Sequence, residues 1–269
     1  MRPKMILFGD SITEDSFGDG GWGASLAHHF SRSLDVILRG YSGYNTRWVL
    51  KVIEKVCNGE SPIGMTVFFG ANDASLPDRT SAFQHVPLHE YKQNLQSIVS
   101  FIKVPTSLSF YNSFTVQQSV MSGSKPKDSE SLLHAYLPFR KWPTALILLI
   151  TPPPIDEDGR IRHPFGDNPS GLSERTNEAA GAYAKACVEV ADECGVIGVD
   201  LWTKMQQYPN WEKSCLSDGL HLTPTGNKIV YEEVIKKLTK EGVTVETLSA
   251  DLPLLSQIDP CDPLKAFQN

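Results

Sequence analysis

Ile6-Leu7-Phe8-Gly9-Asp10-Ser11-Ile12-Thr13 decides how this chain is read. The apolar run is uninterrupted rather than alternating, which predicts a strand buried on both faces of a parallel sheet. A strand that ends in glycine and small polar residues turns sharply and leaves its serine at the carboxyl edge of the sheet. Open α/β sheets hold their chemistry along that edge. Taken alone, the octapeptide reads equally well as an ordinary strand-ending turn, because Gly, Asp and Ser are turn formers.

Working outward, apolar stretches of strand length alternate with segments of helical periodicity. Residues 22–33 carry Ala24, Leu26, Ala27 and Phe30 at helical spacing and predict a helix. Residues 35–39 predict a second strand, which ends at Gly40-Tyr41-Ser42-Gly43. Trp48, Val49, Val52, Ile53 and Val56 recur on a second helix, and residues 65–69 predict a third strand ending at Gly70-Ala71-Asn72-Asp73. Residues 88–103 place apolar side chains at 88, 91, 95, 98, 99 and 102, an amphipathic helix. A fourth strand at 145–150 is stopped by Pro152-Pro153-Pro154, an alanine-rich helix covers 177–194, and a fifth strand covers 196–201. Thr223 as N-cap and Pro224 at the first helical position open the last helix. The alternation predicts an α/β fold, a three-layer α/β/α sandwich on a five-stranded parallel sheet with right-handed crossovers.

The 269 residues are enough for one large domain with a substantial core. Residues 1–241 read as that domain, and 242–269 as a C-terminal tail packing on its surface. A net charge of −6 argues against nucleic-acid partners and against docking on anionic lipid. No apolar run approaches the ~18 residues of a membrane span. The apolar stretch near the amino terminus, Met5 to Phe8, is shorter than the ~7–15 residues of a secretory signal core. The five cysteines, at 57, 187, 194, 215 and 261, are odd in number and lack paired short spacings. They read as reduced thiols of a cytoplasmic protein rather than as disulfides or a zinc site.

One stretch breaks the pattern. Residues 104–139 hold eight serines and the polar run Ser122-Gly123-Ser124-Lys125-Pro126-Lys127-Asp128-Ser129. A structureless segment of this length inside a compact domain is uncommon. Joining Lys103 to Arg140 would restore an ordinary helix-to-strand connection, so the stretch reads as a disordered surface insertion.

Serine is a poor nucleophile until a base takes its proton, and the base needs an orienting acceptor. Ser217-Asp218-Gly219-Leu220-His221 supplies both. Three residues apart in a turn, the Asp218 carboxylate can reach back to one imidazole nitrogen and leave the other for Ser11, and Gly219 gives the turn its backbone freedom. Acyl transfer also needs donors for a developing oxyanion. The backbone N–H of Gly43, the side-chain amide of Asn72 and the N–H of Ser11 are the candidates. Each is by itself an ordinary turn residue, and an isolated Asp-x-x-His is more often a surface turn. Three successive strand ends and this segment nevertheless converge on one edge.

Together these motifs resemble the SGNH, or GDSL-type, hydrolase family: Gly9-Asp10-Ser11-Ile12-Thr13, Gly43, Gly70-Ala71-Asn72-Asp73 and Asp218-Gly219-Leu220-His221. Within it the chain looks most like isoamyl acetate-hydrolysing esterases and their plant relatives, through Gly20-Gly21-Trp22-Gly23-Ala24-Ser25, Gly43-Tyr44-Asn45-Thr46-Arg47-Trp48 and Thr151-Pro152-Pro153-Pro154. The resemblance implies the flavodoxin-like SGNH hydrolase fold and a serine esterase acting on small or medium acyl esters. It implies Ser11 as nucleophile, His221 as general base then acid, Asp218 as its orienter, and an oxyanion hole of Ser11, Gly43 and Asn72. It implies no metal and no cofactor, and a small-molecule ester as the partner. Carbohydrate deacetylation, lysophospholipid or thioester cleavage, and an inactive binding relative are the alternatives.

Two patterns point elsewhere and are set aside. Gly18-Asp19-Gly20-Gly21-Trp22-Gly23 satisfies a dinucleotide fingerprint but does not directly follow the first strand. His85 and His89 are four apart, but Pro87 lies between them and no ligand partner follows.

Overall fold

The computed structural model describes residues 2–103, 142 and 144–268, so the insertion expected at 104–139 lies outside the described residues. Among the described residues five strands carry the architecture: β1 (Lys4–Gly9), β2 (Asp35–Gly40), β3 (Gly64–Phe68), β4 (Leu146–Ile150) and β5 (Ile197–Val199). They form one sheet in the order β2-β1-β3-β4-β5, and every neighbouring pair is parallel.

The continuous apolar runs follow from this arrangement. Successive side chains of a strand point to opposite faces, and here both faces are covered. Ile6 and Phe8 enter a cluster with Met65, Val67, Ile147 and Leu149, while Met5 and Leu7 enter a second one with Phe68, Leu148 and Ile150. Helices α3 (Thr46–Val56), α4 (Leu88–Ile102) and α6 (Asn177–Cys194) close the first cluster through Ile53, Ile98 and Val190. Helices α2 (Trp22–His29) and α9 (Pro224–Lys240) close the other through Trp22, Leu26 and Val230. Phe8 and Leu7 are fully buried, and each such side chain stabilises the fold by about 1.5–3 kcal/mol relative to exposure.

Helix starts follow the expected cap chemistry. Asn45 accepts from Trp48 N–H, Thr176 from Ala179 N–H and Thr223 from Gly226 N–H. Two elements differ from the sequence reading by more than a residue at an end. The helix expected over 22–33 stops at His29, and the chain turns through Arg32, whose φ is +68°. The strand expected over 196–201 ends at Val199, because the Asp200 side chain caps a short helix α7 (Leu201–Met205) by accepting from Thr203 N–H. Three more short helices, α1 (Ser11–Glu14), α5 (Glu157–Arg162) and α8 (Trp211–Ser214), are too brief for periodicity to reveal.

Register places the site. Gly9 pairs with Gly40 on one side and Phe68 on the other. The loops after β2, β1 and β3 therefore leave the sheet side by side. Beyond Gly242, the Asp251 carboxylate accepts from Arg2 and its N–H donates to the Arg32 carbonyl, while Leu255 and Leu264 are exposed. No helix among the described residues is long and apolar enough to cross a membrane.

Candidate active site

Where β1 ends, Asp10 turns the chain. Its Oδ1 accepts the Ile12 N–H at 3.1 Å, and its carbonyl accepts the N–H groups of Thr13 and Glu14. Ser11 thus opens the first turn of α1, half-buried, with Oγ 3.0 Å from His221 Nε2. Asp10 itself is buried, and burial pushes its carboxyl up to about 7.

His221 stands on a tight loop between α8 and α9, where Ser217 N–H donates to the His221 carbonyl at 2.8 Å. Gly219 sits at φ +91°, and a Cβ there would meet the Asp156 carbonyl at 2.4 Å and Arg160 N at 2.6 Å. Only glycine allows that turn so close to α5. Asp218 Oδ1 accepts the N–H groups of Leu220 and His221 at 2.9 and 2.8 Å, and its Oδ2 lies 2.8 Å from His221 Nδ1. An ionised carboxylate offers only acceptors, so Nδ1 carries the proton and the Nε2 lone pair faces Ser11.

The electrostatics match this tautomer. Burial pushes the Asp218 carboxyl up, but the hydrogen bond and charge of His221 and two backbone N–H groups outweigh it and hold it below the usual carboxylate range. The hydrogen bond that Nδ1–H donates to Asp218 raises the His221 imidazole, against burial and the nearby Arg160 charge, which lower it.

Gly43 and Asn72 stand at the ends of the strands flanking β1. Gly43 has φ +79°, and its carbonyl accepts from Gln84 Nε2 at 2.9 Å. Asn72 Oδ1 accepts from Arg175 Nη2 at 3.0 Å, while Nδ2 donates to the Tyr44 carbonyl at 2.9 Å. These two bonds orient the amide and leave its second N–H with no acceptor among the described residues. The N–H groups of Ser11 and Gly43 likewise have none. Beneath this loop Asp73 is fully buried and accepts from the Thr46 hydroxyl and N–H; burial pushes its carboxyl up to about 7.

The structure therefore brings Ser11, His221 and Asp218 into one hydrogen-bonded line and sets Gly43 and Asn72 just beyond the ends of the two strands that flank β1. Sequence reasoning missed Arg160, Arg175 and Gln84. Each is at most 4% exposed and touches a site residue or its loop. No local signal marks them, since two arginines and a glutamine in polar segments read as solvated. The glycine-rich pattern resolves into a turn ahead of α2, with Gly21 at the N-cap position. His85 Nδ1 lies 2.6 Å from the Ser75 carbonyl. Among the described residues no group of three or more His, Cys, Asp or Glu could hold a metal ion.

Comparison with known proteins follows the same lines. Residues 5–234 match the family described as GDSL-like lipase/acylhydrolase. A GDSL esterase/lipase of Arabidopsis thaliana is 55% identical over 273 residues, covering 99% of this chain and 98% of the relative. An isoamyl acetate-hydrolyzing esterase 1 homolog of Rattus norvegicus is 37% identical over 263 residues, covering 96% and 90%. The crystal structure of a lipase/acylhydrolase from Enterococcus faecalis superposes with a TM-score of 0.56 at 22% identity, covering 94% of this chain and 100% of that one. That last likeness is one of fold.

Proposed function

The chain belongs to the GDSL-like lipase/acylhydrolase family and is a carboxylic ester hydrolase, and from that premise we propose that it hydrolyses small and medium acyl esters through an acyl-enzyme on Ser11. The observation that carries this reading is the 3.0 Å approach of Ser11 Oγ to His221 Nε2. As Oγ attacks the ester carbonyl, His221 takes its proton, and Asp218 stabilises the imidazolium. The carbonyl oxygen, now anionic, accepts from the N–H groups of Ser11 and Gly43 and from the Asn72 amide. Collapse expels the alcohol, which receives the proton from His221. Water then gives its proton to His221 as it attacks the acyl-enzyme; the bond from the acyl carbon to Ser11 Oγ breaks, the acid departs, and Oγ takes the proton back from His221.

An aromatic row supports an apolar acyl or alcohol group. Tyr44 meets Trp48 at a ring-centroid distance of 5.8 Å, Trp48 stacks on Phe83 at 6.3 Å, and Phe83 approaches Phe165 at 6.3 Å. Phe83 and Phe165 are 58% and 55% exposed, so this surface is open to a ligand. Tyr44 ties the row to the site, since its carbonyl accepts from the Asn72 amide. Cys187, Cys194, Cys215 and Cys261 form no disulfide, which supports a reducing compartment such as the cytoplasm.

The test pairs a fluorophosphonate probe with a panel of p-nitrophenyl esters graded by acyl length. The expected outcome is labelling at Ser11, no turnover in Ser11→Ala, and activity highest on short and medium chains. Labelling at another residue would refute the nucleophile, and a preference for long chains would refute the substrate class.

A further inference from the structure

One buried carboxylate stands between the two halves of the site. Glu174, 0% exposed, lies in the segment leading into α6. Its Oε1 accepts from Arg160 at 2.9 Å (Nε) and 2.7 Å (Nη2), and from Arg175 Nη1 at 2.8 Å. From there the guanidinium groups diverge. Arg160 Nη1 reaches Asp218 at Oδ2 (2.8 Å) and at its carbonyl (3.2 Å). Arg175 reaches the Ala71 carbonyl at 2.9 Å, Asn72 Oδ1 at 3.0 Å and Gln84 Oε1 at 2.9 Å, and Gln84 in turn holds the Gly43 carbonyl.

Such a cluster is not explained by stability. Buried ion pairs are often no better than packed apolar side chains of the same volume. Orientation is what they offer. A guanidinium is a rigid fork whose donors point at fixed angles, so two forks on one oxygen set their far acceptors relative to each other. Here those acceptors are the carboxylate that orients His221 and the amide oxygen that aims the Asn72 N–H.

We infer that Glu174 is a positioning residue which, through Arg160 and Arg175, aligns the Asp218–His221 pair and the Asn72 donor as a single unit. The inference rests on the roles given to Asp218 and Asn72 above. Neither Glu174 nor Arg175 touches the reacting atoms.

The test is a double-mutant cycle with pH profiles, using p-nitrophenyl acetate and the full chain. Lysine lacks the fork, so Arg175→Lys should lower kcat by up to about 10²-fold, the cost of misplacing a group by about 1 Å, with KM little changed. Because Arg175 acts through Asn72 and, by way of Gln84, on the Gly43 loop, the same substitution in an Asn72→Ala background should cost clearly less than it does in the parent. Losses that multiply would overturn the Arg175 branch. Arg160→Gln removes a positive charge that opposes protonation of His221, so the acidic limb of kcat/KM should move to higher pH. Glu174→Gln keeps the shape and removes the negative charge screening Arg160, so the limb should move to lower pH with reduced kcat. Should the Arg175 variant not fold, these opposite shifts decide the matter, and limbs that stay in place would overturn the inference. An unchanged rate in Asn72→Ala alone would sink the oxyanion assignment and the Arg175 branch with it, leaving the Arg160 branch to the pH limbs.

Discussion

Asp218 grips His221 at two points: Oδ1 accepts the backbone N–H of the histidine at 2.8 Å, and Oδ2 faces its ring Nδ1 at 2.8 Å. One side chain thereby fixes both the path of the loop and the tautomer of the imidazole.

Asp218→Asn should separate those two tasks. The amide can still accept the backbone N–H through its oxygen, but it presents an NH₂ group to an Nδ1 that needs an acceptor. The expected loss in kcat is about 10⁴-fold, the order found when a triad carboxylate becomes an amide. Steady-state kinetics, with circular dichroism to confirm the fold, checks this; a loss below tenfold would take Asp218 out of the line.

The pH profile of kcat/KM follows from the environment of His221. The base must be neutral, so activity rises as the imidazolium loses its proton. The Asp218 hydrogen bond, the largest influence, raises the imidazole, and Asp10 adds to it to the extent that its own carboxyl, pushed up to about 7 by burial, is ionised. The acidic limb should therefore lie above the ordinary imidazole value of about 6.5. In Asp10→Asn it should move down. A limb at or below the ordinary value in the parent protein would contradict His221 as base.

Asp10 also ties stability to pH. Burial raises its carboxyl to about 7, so the folded chain holds a proton that the unfolded chain releases near pH ~3.9. A raised folded value means that this contribution to stability is complete below about pH 4 and is lost as pH rises through 7. Asp10→Asn keeps an oxygen for the Ile12 N–H and cannot ionise. Its thermal midpoint should gain on the parent between pH 4 and 7 and hold that gain above. Asp73, raised in the same way, contributes its slope to both proteins. A difference independent of pH would show that Asp10 ionises freely in the folded chain.

Trp142 N–H donates to the Ile102 carbonyl at 3.0 Å, so the described chain resumes beside the point where α4 ends. Removing residues 104–139 and joining Lys103 to Arg140 should leave a folded esterase with kcat within about twofold of the parent. Loop-closure entropy changes only slowly with loop length, about 0.6 kcal/mol per doubling, and the candidate site residues Ser11, Gly43, Asn72, Asp218 and His221 all lie outside the deleted span. Loss of the cooperative melting transition would show that the stretch belongs to the domain.

Much of this protein was legible residue by residue. The unbroken apolar run of β1 requires two covered faces, and the strand–helix alternation then sets the layers. Local geometry was legible too: Thr223-Pro224 begins a helix, and a glycine between Asp218 and Leu220 permits the turn that brings carboxylate and imidazole together. What sequence alone left open needed partners far along the chain. Ser11 and His221 are 210 positions apart, and their meeting depends on strand order and register. The helix after Trp22 and the strand after Ile197 both ended early because of a local turn and the Asp200 cap, which periodicity does not weigh. Arg160, Glu174 and Arg175 look like solvated charges in the sequence. Only the fold sets them together in the interior, and a charge can be buried only when its partners are already there to receive it.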